Sequence, residues 1–505
     1  MVIIGRDKER HILTRRMNSG KPEFVAVYGR RRVGKTFLIT EYFNNKFTFS
    51  VTGISEGSLK DQLRVFHEAL KKHFHIDMNA PVPADWFRAF QRLAECLEKD
   101  ITQGRKVLFF DEMPWLDTPK SKFISALEHF WNSFASRREG IFLIVCGSAA
   151  SWIINKLLEN YGGLHNRLTE SIVIEPFSLY ECEAFYRSRG LVMNRRQIAE
   201  AYMILGGIPY YMDAMDKFYG LNQNIDLLLF DKNAKLANEF NRLYHSLFRH
   251  ADNHINIAET LSKKSEGMTR QEISAASGIS DGGGLTKVLD EMEACGLISR
   301  SFDYKKKRGG DYFKLIDFYT IFYYKFIKNR KGSDPRFWTN YLSYPAHSAW
   351  CGYAFERLCM AHIAQIKQKL GISGVITETY AFRSAGQRNT GPKDEPLINI
   401  GQKAGAQKNS GHKSNNQKAG AQIDIIIDRK DGVINLCECK YTVAPYELTK
   451  IDATDFERKK SVFLETTGTK KAIHMTMITA SGLVQNAYRN DIQSEIILDD
   501  LFMPI

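Results

Sequence analysis

Several features that mark other protein classes are missing from this chain. It has no CxxC pair, and its eight cysteines fall without zinc-type spacing. That argues against a structural zinc module and fits thiols kept reduced in a cytosol. No apolar run approaches the ~18 residues that a membrane-spanning helix needs. The opening MVIIGRDKER lacks the apolar core of a signal peptide. A soluble cytoplasmic protein without a membrane partner is expected.

What is present is a long, moderately apolar, basic chain. At 505 residues it exceeds what one hydrophobic core organises, so three or four domains are expected. Apolar residues at 44% and aromatics at 12% suffice for most of it to fold. The formal charge of +13 favours a polyanion, nucleic acid or nucleotide phosphate, yet it is spread out and equally suits any soluble basic protein.

The stretch FVAVYGRRRVGKTFLI supplies the first chemistry. An apolar run ends at Tyr28, and Gly29, Arg30, Arg31, Arg32, Val33, Gly34, Lys35, Thr36 and Phe37 follow, leading into a helix-compatible segment. This is GxxxxGK[ST] between strand and helix. Glycines let the backbone curl so that N–H groups face phosphate, and the helix N-terminus adds partial positive charge. Lys35 would neutralise the β and γ phosphates of ATP, and Thr36 would offer its hydroxyl to Mg²⁺.

In KVLFFDEMPWL a buried-strand pattern ends at Asp111 and Glu112. Asp111 would hold Mg²⁺ through its water and Glu112 would act as general base toward the attacking water; the alternative is an ordinary strand terminus. Phe123, Leu127, Phe130, Trp131 and Phe134 recur at helical spacing and predict a core-facing helix. A further strand, IFLIVCGSAAS, places Ser148 at its tip, either as a γ-phosphate sensor or as the cap of the next helix. GGLHNRLTE presents Arg167, an arginine finger toward a second copy in a homo-oligomer or a surface arginine; His165 beside it reads as a solvated loop residue.

Residues 268–301 predict helix, turn and helix on an apolar skeleton of Ile273, Ala276, Ile279, Leu285, Val288, Leu289, Met292 and Leu297, with Thr269 capping ahead of Glu272. A hairpin with a basic tip, Lys305 to Arg308, completes a winged helix-turn-helix. The tip suits the phosphates of double-stranded DNA. The second helix carries Asp290, Glu291 and Glu293, which disfavours groove reading, so an interdomain lever stands beside DNA contact. KNRKGSDPRFW, 328–338, has the composition of a linker.

In the last third, DIIIDRKDGVINLCECK reads as two strands joined at Lys430-Asp431-Gly432, with Gly432 in the left-handed position such a loop needs. Counting back places Asp424 opposite Glu438, with Lys440 on the same face and Cys437 and Cys439 on the other. Facing carboxylates destabilise each other. A divalent cation held by Asp424, Glu438 and the Cys439 carbonyl would offset this, with Lys440 beside its water; a plain surface pair is the alternative. Between strands, 384–421 is a low-complexity Gly/Asn/Lys/Gln tract in which QKAGAQ occurs twice.

IIGRDKERHIL, GRRRVGKT, FFDEMPWL and LGGIPYYM together resemble the AAA-type and STAND-like P-loop ATPases of prokaryotes, the branch related to origin-binding ATPases, over roughly residues 1–330. The resemblance implies ATP binding with Gly5, Arg6 and Glu9 beside the adenine and Gly206, Gly207 and Pro209 reaching the nucleotide from a helical lid. The tail resembles the PD-(D/E)XK nuclease fold, in the form catalogued as domain of unknown function 234, through GYAFERLC, IDIIID, CECKYT and IILDDLF. That resemblance implies a further acidic metal ligand, Glu356, on the preceding helix, and Mg²⁺-dependent cleavage of DNA or a dormant version of such an enzyme. The expected architecture is an α/β P-loop ATPase core (1–175), a helical lid (176–240), a winged helix-turn-helix (241–327), a linker (328–344) and an α/β restriction-endonuclease-like domain (345–505).

Overall fold

The computed structural model describes residues 2–77, 79–100, 104–159, 167–248, 250–302, 311–330, 332–384 and 420–505. They form two compact units. One takes in residues up to Ser301, residues 311–358 and Leu501–Ile505; the other takes in Phe302 and Cys359–Asp500. The division falls at Leu358, inside the helix Pro345–Ala361. Among the described residues no helix is long and apolar enough to cross a membrane.

The first unit is built on strands β1 (Glu23–Tyr28), β2 (Phe49–Thr52), β3 (Lys106–Asp111), β4 (Ile141–Gly147) and β5 (Glu170–Val173), in the order β2-β3-β4-β1-β5. Every pairing is parallel. β1, β3 and β4 are continuous apolar runs because a parallel sheet is covered on both faces. Helices Leu59–Phe74, Trp86–Lys99 and Phe123–Ser133 bury Phe66, Trp86, Phe90, Phe123, Leu127, Phe130 and Trp131 against Phe24 and Phe110. Each such side chain taken from water contributes about 1.5–3 kcal/mol. Ser58 and Asp85 start the first two helices by accepting backbone N–H groups of Asp61 and Arg88. One consequence decides function: the C-terminal ends of β1, β3 and β4 lie along one edge of the sheet.

Further along, helices Leu179–Ser188 and Arg195–Leu205 precede the short helix Pro209–Met212. Helices Asp252–Ser262, Arg270–Ser277 and Gly283–Ala294 then accompany a small sheet of β6 (Met268–Thr269), β7 (Ile298–Phe302) and β8 (Asp311–Leu315), ordered β6-β8-β7. Thr269 and Glu272 form the reciprocal capping box their spacing suggests. Ile273, Leu285, Val288, Leu289, Met292 and Leu297 are buried, whereas Ala276 is exposed and Ile279 only half-buried. The tip Lys305 to Arg308 lies outside the described residues, as does His165. Trp338, expected in a linker, is buried instead. Its N–H donates to Asp226 (2.8 Å), whose carboxylate also accepts the Thr339 hydroxyl (2.6 Å).

In the second unit, β9 (Thr377–Ser384), β10 (Ala421–Arg429), β11 (Val433–Lys440), β12 (Ala472–Thr479) and β13 (Ser494–Ile497) form a sheet in sequence order. β9, β10 and β11 pair antiparallel, while β11, β12 and β13 pair parallel. Gly432 turns the β10–β11 hairpin at φ +91°. Ile425 pairs with Cys437 and Asp428 with Ile434, a register whose next step sets Asp424 opposite Glu438. Against β9, β10 is irregular between Ile423 and Ile426, and Asp424 sits in that irregularity. Helix Lys450–Thr467 covers one face, packing Phe456 and Phe463 on Ile426, Ile434 and Leu436. The tract 385–419 lies outside the described residues.

Candidate nucleotide site and a second charged pocket

The GRRRVGKT loop joins β1 to the helix Lys35–Tyr42. Gly29 adopts φ +143°, and a Cβ there would stand 2.2 Å from the Ile174 carbonyl oxygen, so the chain can turn only at a glycine. Gly34 adopts φ +90° with open space around it. Lys35 is buried, and its ammonium donates to the carbonyls of Gly29 (3.0 Å) and Arg30 (2.8 Å). Burial holds its pKa below the ordinary lysine value; Cys146, Glu112 and Asp111 oppose that shift.

Asp111 ends β3 and accepts the Thr36 hydroxyl at 3.1 Å on both oxygens. Burial, then Glu112, raises its pKa. Glu112 follows in a left-handed conformation, φ +44°. Its Oε1 accepts the Ser148 hydroxyl (2.9 Å) and its Oε2 the Ser148 N–H (3.3 Å). Ser148 therefore does not cap the next helix, Ala150–Ile153: Ala149 occupies that position and no side chain closes it. β4, which ends one residue before Ser148, lies between β1 and β3. Arg167 is exposed.

The three arginines of the loop differ. Arg30 is buried in an ion pair with Asp317, which itself caps the helix Phe318–Phe322. Arg32 pairs with Glu239 (2.8 Å) and lies over the Tyr210 ring (3.8 Å), and Glu239 also accepts the Tyr211 hydroxyl (2.8 Å). The guanidinium groups of Arg30 and Arg32, expected at the nucleotide, are thus held by residues roughly two hundred positions or more downstream. Arg31 is half-buried and Phe37 exposed. Arg6 donates to the Val33 carbonyl (3.2 Å) from beneath the loop and stacks on Phe177 (4.6 Å), and Gly5 abuts Glu181. Gly207 accepts the Phe177 N–H (2.6 Å), and Pro209 opens its helix. Asp317 and Glu239 carried no signal in the sequence, since nothing local marks a partner so distant. The curled loop, the inward lysine and the Thr36–Asp111 oxygens fit ATP with its magnesium.

The second pocket belongs to the other unit. Asp424 accepts the Cys439 N–H (2.9 Å). Burial, then Glu438, pushes its pKa up to about 6, against the pull of that N–H, Lys459 and Lys440. Glu438 is 7% exposed, with Oε1 on the Lys440 ammonium (3.0 Å) and Oε2 on that of Lys459 (2.6 Å). Nothing local in the sequence marks Lys459, which lies on a helix 21 residues beyond Glu438, in a run of charges that resembles a solvated face. Cys437 and Cys439 are buried on the other side of β11, where burial raises the Cys437 thiol and the Cys359 thiol, with burial, raises that of Cys439. Glu356 belongs to the first unit, on the helix Pro345–Ala361. Among the described residues no group of three or more His, Cys, Asp and Glu side chains is placed to hold a metal ion. As arranged, the Asp424–Glu438 pair does not fit a divalent cation, because ammonium groups hold both Glu438 oxygens.

Residues 4–215 match the family described as an ATPase domain predominantly from Archaea. The chain is 24% identical over 212 residues to an uncharacterized protein of Methanocaldococcus jannaschii, 42% of this chain and 44% of that protein, so it spans less than half the length of that relative. It is 41% identical over 46 residues to an uncharacterized ATP-binding protein of the same organism, 9% of this chain and 78% of that one. Among solved structures it is similar to the Walker-type ATPase of Pyrococcus abyssi, with 16% identity, 64% of this chain and 96% of that chain covered and a TM-score of 0.44. The ORC2 protein of Aeropyrum pernix aligns at 13% identity over 63% of this chain and 92% of its own, with a TM-score of 0.39.

Proposed function

Starting from an ATPase domain of that predominantly archaeal family over residues 4–215, we propose that the chain is an ATP-hydrolysing switch whose nucleotide state is transmitted to its C-terminal half. The observation that carries this is the loop Gly29–Thr36, with Lys35 resting on two carbonyls and Thr36 against Asp111 at the ends of parallel strands. Bound ATP supplies the phosphoanhydride and brings magnesium. Lys35 exchanges neutral carbonyls for phosphate oxygens, and the Thr36 hydroxyl and, through its water, Asp111 would hold the metal. Glu112 takes the proton of the attacking water and is held in place by Ser148. Arg30 and Arg32 tie the same loop to Asp317 and Glu239, the route by which its state reaches the helices beyond residue 238. Phosphate release by the purified chain tests this; a rate no higher than that of Lys35→Ala would remove the proposal.

For the C-terminal half, the reading is a winged-helix lever followed by a nuclease-like tail, with double-stranded DNA as the candidate partner and Arg167 as the candidate finger between copies. One observation favours a regulatory ATPase that binds without cutting: Glu438 is shared by two lysines. Another favours the lever over groove reading: Asp290 and Glu293 pair with Arg300, and Glu291 bonds His254, so these carboxylates already have partners within the chain. Plasmid nicking by wild type and Lys440→Ala separates the two readings, since equal activity in both defeats cleavage by this pocket.

A further inference from the structure

The second pocket carries its own cations. The Lys459 ammonium reaches Glu438 Oε2 at 2.6 Å and is steadied from its own helix by Asp455 at 3.2 Å, one turn earlier. Asp455 in turn accepts from Arg458 (3.1 Å). Lys440 takes the other Glu438 oxygen at 3.0 Å. Asp424 gives one oxygen to the Cys439 amide at 2.9 Å. The carboxylates Asp424, Glu438 and Asp455 therefore face the cations Lys440, Lys459 and Arg458, and the charges balance without a further ion. Lys459 and Glu438 are 8% and 7% exposed, so water screens little between them.

We propose that Lys459 stands where a divalent cation would have to sit beside Glu438, so that the folded chain keeps this pocket as a metal-free ion-pair network and does not load Mg²⁺ or Mn²⁺ there. A dication entering the pocket meets two ammonium groups at the carboxylate it needs, and taking Glu438 from Lys459 leaves a buried cation with only Asp455. The strands set the acids opposite each other, and Lys459 and Lys440 offset part of the cost of holding both charged. The offsetting charge, which the hairpin alone seemed to demand of a metal, comes from the helix packed across them.

The test is a Mn²⁺ titration of the nucleotide-free full chain, following the free aqueous ion by electron paramagnetic resonance. Wild type, Glu438→Gln, Lys459→Met and the double variant Lys459→Met/Glu438→Gln are compared, with folding checked by circular dichroism. Wild type is expected to show no saturable site that depends on Glu438. Lys459→Met is expected to gain one at least about ten-fold tighter than any in wild type, and the double variant to lose it. A wild-type Mn²⁺ site abolished by Glu438→Gln overturns the proposal, as does a folded Lys459→Met that binds no better than wild type. Should Lys459→Met not fold, Lys459→Gln takes its place; should neither fold, the comparison of wild type with Glu438→Gln decides alone.

Discussion

Two regions of this chain place carboxylates and a lysine at the ends of strands, and they are in opposite electrostatic states. In the first unit Lys35 rests on two backbone carbonyls, and Asp111 accepts from neutral donors, the Thr36 hydroxyl, the Cys146 thiol and the Glu112 amide. In the second, Glu438 is closed between two ammonium groups. A lysine held by neutral dipoles can exchange them for phosphate oxygens with a net electrostatic gain, because its charge then faces full negative charges in place of partial ones. A carboxylate already held by two cations has no such gain on offer. Residue types alone did not separate the sites; what each charge touches did.

The sharpest way to break the comparison is at the first site. Lys35→Ala should remove ATP turnover and weaken nucleotide binding, while Glu112→Gln should still bind ATP and lose turnover by roughly 10²–10⁴-fold, the range for a general base. Fluorescent-nucleotide binding and phosphate release separate the two variants. If Glu112→Gln hydrolyses at the wild-type rate, the acid has another purpose.

Next in size is the link between the loop and the downstream helices. Asp317→Ala leaves Arg30 buried without its partner, which should cost about 3–5 kcal/mol of stability in urea unfolding. A change below about 1 kcal/mol would mean that Arg30 finds water or another acceptor.

The second pocket gives a pH-dependent test. The folded pKa of Asp424, about 6, lies above its ordinary value of 3.8. The protonated form is favoured by folding, so this contribution is complete below about pH 4 and is lost as pH rises through about 6. Asp424→Asn should therefore be more stable than wild type at pH 7.5 by up to about 3 kcal/mol and equal to it near pH 3.5. Unfolding midpoints across that range check the sign, and a variant less stable at pH 7.5 would refute it.

The smallest effect concerns Ser148. Ser148→Ala removes a hydroxyl from the Glu112 carboxylate, worth about 1.5–3 kcal/mol if that bond is made in the transition state and less otherwise. The drop in turnover, at unchanged ATP affinity, measures it.

The parts legible from sequence were those fixed by local rules. The P-loop strand and helix, the aromatic face of the helix Phe123–Ser133 and the capping box at Thr269 follow from short-range periodicity and spacing. The hairpin register follows from the length of one loop and the two-residue repeat of a strand. The partners of Arg30, Arg32 and Glu438 were not legible. Asp317, Glu239 and Lys459 sit on elements whose distance along the chain is unrelated to their distance in space. Ser148 bonded an acid where capping was an equal alternative, because the helix after it begins one residue later than the polar residue implied. Trp338 was misread by composition: a polar stretch with Gly, Ser, Asp and Pro hid one large side chain that anchors it.

Glu112 holds φ +44°, a conformation in which a side chain costs roughly 1–2 kcal/mol and glycine almost nothing. Directed evolution can exploit this asymmetry. A library selected only for thermal robustness should drift toward glycine or asparagine at position 112, while one selected for turnover should retain the acid. The divergence of the two lineages at that single codon would report what the side chain is kept for.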